Sequence, residues 1–256
     1  MEKIECTAII MAKNEAHQIE RALQSLQFCA EILIFLDDKK SEQATIDLAG
    51  RYGASCIIKS LKTEGQRRTA ACQAAKFPWI LELDADEEVT PECAAEIRAV
   101  LPSAEYGYFL IPFDNYIGTR RVRHGWGSTI GTAAKACLCA KGVKSWGDEN
   151  QHPRVQLLGK RQWLKNRINH YIDDDLHDLF ARLNRYSTNR AQQLMEQGRC
   201  ESLGVTLWRA VVRFLRLYIR RGGYKEGIYG LTVAIAAGLY PLLSVLKYHE
   251  MRDKNH

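Results

Sequence analysis

The 256-residue chain is 46% hydrophobic and 26% charged, with 18 glycines and 6 prolines. That balance supplies a sizeable core and excludes a disordered or fibrous protein. The eight cysteines lack the paired C-x-x-C spacings of zinc sites, so they read as reduced, small apolar side chains suited to a cytosolic location.

In chain order, residues 7–11 read as a buried strand, interrupted upstream by Glu5 and too short for a secretory core. Asn14 is the expected N-cap of a first helix, with Glu15 in its first turn and Ile19, Leu23 and Leu26 at helical spacing. Residues 31–36 form a second strand that ends at Asp37-Asp38. Helix follows through Ile46, Leu48 and Ala49 to a C-cap at Gly53. Residues 55–58 are a third strand, 65–75 a helix and 78–83 a fourth strand, which stops at Asp84-Ala85-Asp86. Thr90-Pro91 opens another helix, a cap residue followed by proline at the first helical position. Residues 106–112 and 135–141 read as further strands, and 115–130 as a loop or hairpin carrying Arg120, Arg121 and Arg123. Residues 173–197 have helical periodicity ended by Gly198, and 203–247 are helical with a break near Gly222-Gly223.

Strand and helix alternating at this spacing predict an α/β fold, with a mostly parallel central sheet covered by helices on both faces. A helical C-terminal region follows. Residues 1–165 are the expected catalytic domain and 166–256 the helical region, associated with acceptor and membrane. Ligands of such sheets bind beyond the carboxyl ends of the strands, where both acidic pairs fall. Asp84 and Asp86, at i and i+2 after a buried strand, can share one Mg²⁺ or Mn²⁺ held against a diphosphate.

At these residues the sequence resembles the family 2 glycosyltransferases, whose nucleotide-sugar-binding domain has the fold called GT-A. The likeness covers residues 6–112. Ala12-Lys13-Asn14-Glu15 resembles the motif that contacts the nucleoside. Asp38, Ser41 and Thr45 keep the spacing of the motif whose aspartate reads the base, although Gln43 stands where an acid is usual. Gln66-Arg67-Arg68 and Leu83-Asp84-Ala85-Asp86-Glu87 fall where the family has a polar, basic patch and its metal motif. The resemblance thus implies that Ala12, Lys13, Asn14, Glu15, Asp38, Gln66, Arg67, Asp84 and Ala85 bind the donor nucleotide, and that Asp84 and Asp86 hold the divalent metal.

The second half resembles the lipopolysaccharide core glucosyltransferases, through Asn169-His170-Tyr171, residues 183–187, and Arg220-Arg221-Gly222-Gly223-Tyr224 followed by Gly227 and Gly230. Members often carry an Arg-Leu-Phe triplet where this chain has Cys137-Leu138-Cys139, which removes an expected cation. The likeness also implies a loop carboxylate that takes the acceptor proton. Asp148 and Glu149 are the candidates, with His152 a third. His170 reads as a supporting histidine ahead of a metal ligand, and residues 173–175 as caps of the following helix.

Between 207 and 225 lie six basic residues and no acid, and 227–246 carry no charge. A basic amphipathic helix of this kind can lie on an anionic leaflet. For the apolar stretch, shallow insertion ranks ahead of a buried helical pair and of a true span. The expected activity is inverting transfer of a hexose, glucose first, from a UDP-linked donor to a saccharide acceptor of lipopolysaccharide or another envelope glycan. The expected partners are this donor, a lipid-linked acceptor and the inner-leaflet surface, with no nucleic acid. The expected location is cytoplasmic and peripheral to the inner membrane. The alternatives are transfer to a polyprenyl phosphate and an inactive, membrane-bound assembly partner of the same fold.

Overall fold

The structure is a computed structural model that describes residues 2–13, 15–37, 43–127, 130–147, 154–198 and 200–254. The first half alternates strand and helix: β1 (Ile4–Ala12), α1 (Ile19–Ser25), β2 (Cys29–Leu36), α2 (Gln43–Arg51), β3 (Ser55–Ile58), α3 (Glu64–Ala74) and β4 (Trp79–Asp84). A three-residue strand β5 (Glu87–Val89), helix α4 (Pro91–Val100) and β6 (Gly107–Ile117) follow. Short strands come next: β7 (Arg120–Val122), β8 (Ala134–Ala140), β9 (Lys144–Trp146), β10 (Val155–Leu157), β11 (Lys160–Trp163) and β12 (Ile168–Asp173). The α-helices that follow among the described residues are α5 (Leu176–Gln197), α6 (Leu203–Leu215) and α7 (Ile228–Lys254).

Two compact units result. The first comprises Met1–Phe113 and Ala134–His170, the second Asp114–Ala133 and Tyr171–His256. Residues 114–133, which sequence alone grouped with the first domain, therefore belong to the second unit.

In the first unit the strand order is β3-β2-β1-β4-β8-β6, with β12 and β5 beyond. The strands β3, β2, β1 and β4 are mutually parallel, and β8 lies antiparallel between β4 and β6. Central strands of this kind bury both faces, which explains the near-continuous apolar runs. Alternate side chains part accordingly. Ile10, Ile34 and Leu81 join the cluster containing Leu23 of α1 and Ile97 of α4, while Ile9, Phe35 and Ile80 join Ala71 and Ala75 beside α3.

Several sequence expectations are refined. The first helix begins at Ile19, with Gln18 at the cap position and no side-chain capping bond, rather than next to Asn14. Asn14 itself lies outside the described residues. Thr90 caps α4 as expected, accepting from the Cys93 N–H with Pro91 at the first turn. Only Asp175 caps α5, accepting from the Asp178 N–H, whereas Asp173 ends β12 and binds Arg182. All eight cysteines are free.

In the second unit, Leu179, Leu183, Leu217 and Val233 pack with Val122 and Trp126 of the β6–β7 hairpin segment. The loop arginines have partners within this unit: Arg121 meets Asp114 at 3.1 Å, and Arg120 lies over the Tyr229 ring. The Arg123 N–H donates to Glu226, as does that of His124.

One contact fixes the approach of α3 to the chain after β9. A Cβ at Gly65 would overlap the Gly147 carbonyl oxygen, so only glycine fits this crossing. Gly65→Ala should therefore cost about 1–3 kcal/mol through forced backbone displacement. Urea unfolding measures this, and an unchanged midpoint would contradict the close approach.

Candidate active site

The parallel register aligns three strand ends. Met11 lies opposite both Asp84 and Phe35, and Ala12 lies opposite Leu36. Lys13, Asp37 and Asp84 consequently come to one edge of the sheet. That edge is the carboxyl end, where open parallel sheets bind ligands.

Helix α3 supplies two adjacent arginines to this edge. Its N-cap, Thr63, accepts from the Gln66 N–H, which fixes where the helix begins. Arg67 lies 3.6 Å from Asp37 and donates to the Leu61 carbonyl at 2.9 Å. Lys13 is 3.7 Å from the other oxygen of Asp37, and the Lys13 N–H donates to Glu15. Asp37 Oδ1 is buried and makes no hydrogen bond among the described residues. Arg68 reaches three acids, at 2.8 Å from Glu64, 3.4 Å from Glu82 and 3.7 Å from Asp84.

Glu82 sits inside β4 and is buried with Lys144 of β9, at 2.9 Å. Asp84, the last residue of β4, accepts from Lys135 of β8 at 2.6 Å. The same ammonium donates to Glu87 at 3.0 Å, and the Asp84 N–H donates to Glu87 at 2.9 Å. Ala85 is buried between the two aspartates. Asp86 accepts from His170 Nε2 at 3.3 Å.

The last pairing has a topological origin. β5 follows β4 directly and pairs antiparallel with β12, in a register that sets His170 opposite Glu87. Ligand atoms of Asp86, Glu87 and His170 lie within 4.8 Å of one another. The rings of Phe113 and His170 meet edge to face at 5.8 Å, which helps to fix the imidazole.

The charges are mutually compensating. Desolvation alone would raise the Asp84 pKa, but Lys135 and then Arg68 hold it well below the usual carboxylate range. Desolvation pushes the Glu87 pKa up, and Lys135 offsets this only in part. Lys135 would lose its proton more readily through burial, yet Asp84 and Glu87 keep it firmly charged. Burial likewise lowers the His170 pKa, but its bond to Asp86 and the charges of Asp86 and Glu87 leave it raised.

Of the sequence candidates, Ala12, Lys13, Glu15, Gln66, Arg67, Asp84, Ala85 and Asp86 all fall in this unit, and those just placed converge at the strand ends. Asn14, Asp38, Asp148, Glu149 and His152 lie outside the described residues. The residues missed are Lys135, Lys144 and Glu82, along with the position of Glu87. An acid inside the apolar run 79–83 is the one available signal for a buried ion pair, whereas nothing in the sequence pairs Lys135 with residues some fifty positions earlier.

A parallel β1–β2–β4 core with acids at its carboxyl edge, continued by the antiparallel β8, is the arrangement of a GT-A transferase domain. The profile of glycosyl transferase family 2 matches residues 7–137, more than half of the chain. The chain belongs to that family, and it is a glycosyltransferase. A lipopolysaccharide core biosynthesis glycosyltransferase, LpsC, of Rhizobium meliloti (strain 1021) is 26% identical over 97% of this chain and 92% of its own length. An uncharacterized glycosyltransferase of Rickettsia bellii (strain RML369-C) is 25% identical over 96% of this chain and 86% of its own. The crystal structure of S. aureus TarS 1-349 in complex with UDP is similar over 99% of this chain and 92% of that one, at 12% identity and a TM-score of 0.49.

Lys135→Met should leave buried Glu87 without its cation and cost about 3 kcal/mol at pH 8. A glutamate with a raised folded pKa is most stabilising when protonated, so the deficit should shrink as the pH falls toward 5. Urea unfolding at both pH values checks this, and a deficit independent of pH would contradict the pairing.

Proposed function

We propose that this chain is an inverting hexosyltransferase. It would take glucose from a UDP-linked donor and deliver it to a saccharide acceptor in lipopolysaccharide or related envelope glycan synthesis. The observation that carries the reading is the convergence of Asp37, Arg67, Asp84 and the Asp86–His170 pair at one sheet edge. The name of the LpsC relative favours an envelope glycan.

In this reading Ala12, Lys13, Asn14 and Glu15 line the nucleoside, and Asp38 reads the base. Asp37, the residue before it, is held by Lys13 and Arg67. Gln66, Arg67, Asp84 and Ala85 complete the donor side. Arginine at a diphosphate is favoured by its planar, multidentate donors.

Two carboxylates and an imidazole suit a divalent ion such as Mn²⁺ or Mg²⁺, the former accepting nitrogen more readily. Asp86, with His170 and Glu87 beside it, would hold the ion. Asp84, which shares the Lys135 ammonium with Glu87, would join them as that ammonium moves aside. The chemistry a bound cation supplies is neutralisation of charge on the departing diphosphate. Arg68 and Lys135 hold Asp84 and Glu87 in place in its absence.

Asp148 or Glu149 would take the proton from the acceptor hydroxyl. Gly147, the last described residue before them, packs on α3 next to this edge. A lipid-linked acceptor would place the enzyme at the cytoplasmic face of the inner membrane.

Asp86→Ala should abolish saturable Mn²⁺ binding in calorimetry and lower turnover of the sugar nucleotide by at least on the order of a hundredfold. Unchanged Mn²⁺ affinity would remove the metal assignment. Replacing Asp148 and Glu149 together, by Asn and Gln, should lower transfer to a hydroxyl acceptor by roughly 10²–10⁴-fold. An unaffected rate would point instead to a polyprenyl phosphate acceptor, whose nucleophile is already ionised.

A further inference from the structure

Helix α7 is the chain's one described helix long and apolar enough to cross a membrane, yet half of its most apolar window is buried. Its small residues Ala234, Ala236 and Ala237 are buried inside the second unit. A Cβ at Gly238 would stand 3.0 Å from the Ala210 carbonyl, so α6 crosses α7 closely there. The apolar length of α7 is thus used in packing.

Helix α6 is different. Thr206, and Leu217 just beyond its end, are buried, but Leu203, Leu207, Val211 and Leu215 recur every four residues on an exposed face. Trp208 (68% exposed) adjoins that row, and Ile219 (60% exposed) follows it. A contiguous apolar surface of this kind exceeds the scattered exposed residues of an ordinary soluble surface.

Arginines border the row at positions 209, 213, 216 and 220, and no acid occurs from 202 to 225. Two of the four are engaged within the unit: Arg209 pairs with Glu201, and Arg213 lies over the Tyr240 ring at 5.4 Å. Arg216 and Arg220 are exposed. Cations beside an apolar row carrying tryptophan match the boundary between anionic headgroups and acyl chains.

We propose that α6 is the membrane-docking element, lying in the plane of an anionic leaflet with its Leu/Val/Trp row inserted and Arg216 and Arg220 at the headgroups. α7 packs against it as its support, with half of its most apolar window buried. The proposal deepens the envelope-lipid reading above by naming the surface and its lipid chemistry. Because the test contains no sugar nucleotide, its failure leaves the transferase reading untouched.

The experiment is co-sedimentation of the full chain with phosphatidylcholine vesicles, with and without the anionic lipid phosphatidylglycerol. The wild type should bind the anionic vesicles preferentially. Arg216→Glu with Arg220→Glu should weaken that binding by roughly twentyfold or more, from about 1 kcal/mol per basic residue. Trp208→Ser with Leu215→Ser should weaken binding to either vesicle, with circular dichroism and transfer to a soluble acceptor unchanged. Equal binding to neutral and anionic vesicles, or none to either, would overturn the proposal. So would a dimer in analytical ultracentrifugation that the Trp208/Leu215 variant dissociates, since the face would then bind a second copy.

Discussion

Four acids stand within six residues at the end of one buried strand: Glu82, Asp84, Asp86 and Glu87. Their mutual repulsion would splay the β4–β5 turn unless each met a basic partner, because charges this close interact strongly away from water. Each does so, and the partners come from four different elements. Arg68 arrives from α3, Lys144 from β9, Lys135 from β8 and His170 from β12. The acidic turn thereby ties together segments spread over a hundred residues of sequence. A site assembled this way holds its carboxylates in place before any ligand arrives.

The basic partners also divide the acids between them. Lys135 takes Asp84 and Glu87 from one side, while His170 approaches Asp86 from the other. The sequence alone read Cys137 as the loss of a cation, since related enzymes often carry arginine there. Lys135 lies two residues earlier on β8, hence on the same face of the strand, and puts a positive charge on the acidic turn. The buried Cys137 thiol, pushed up by desolvation, stays neutral beside it.

Much of the fold was legible because its signals are local. The continuous apolar runs of β1, β2 and β4, the Thr90-Pro91 helix start and the Gly198 stop depend on a few neighbouring residues. The acids at the strand ends could be placed for the same reason. What could not be read is pairing over distance. β5 is three residues long and carries no periodicity, so its register with β12, which brings His170 to Glu87, has no trace in either segment alone. The same holds for Lys135 and Lys144, whose basic side chains look like any solvated surface residue until the antiparallel β8 and the short β9 place them beside β4. The helix start at Ile19 rather than next to Asn14 shows how a favourable cap residue is overridden by the turn closed by the Glu15 carbonyl, which accepts from the Gln18 and Ile19 N–H groups.

The account turns on where a divalent ion would sit in this acidic turn. Anomalous diffraction at the manganese edge, from crystals of the protein grown with UDP and Mn²⁺, locates that ion directly. A peak held by Asp86, with Asp84 or His170 beside it, is the predicted result. An ion remote from the β4–β5 turn would contradict it.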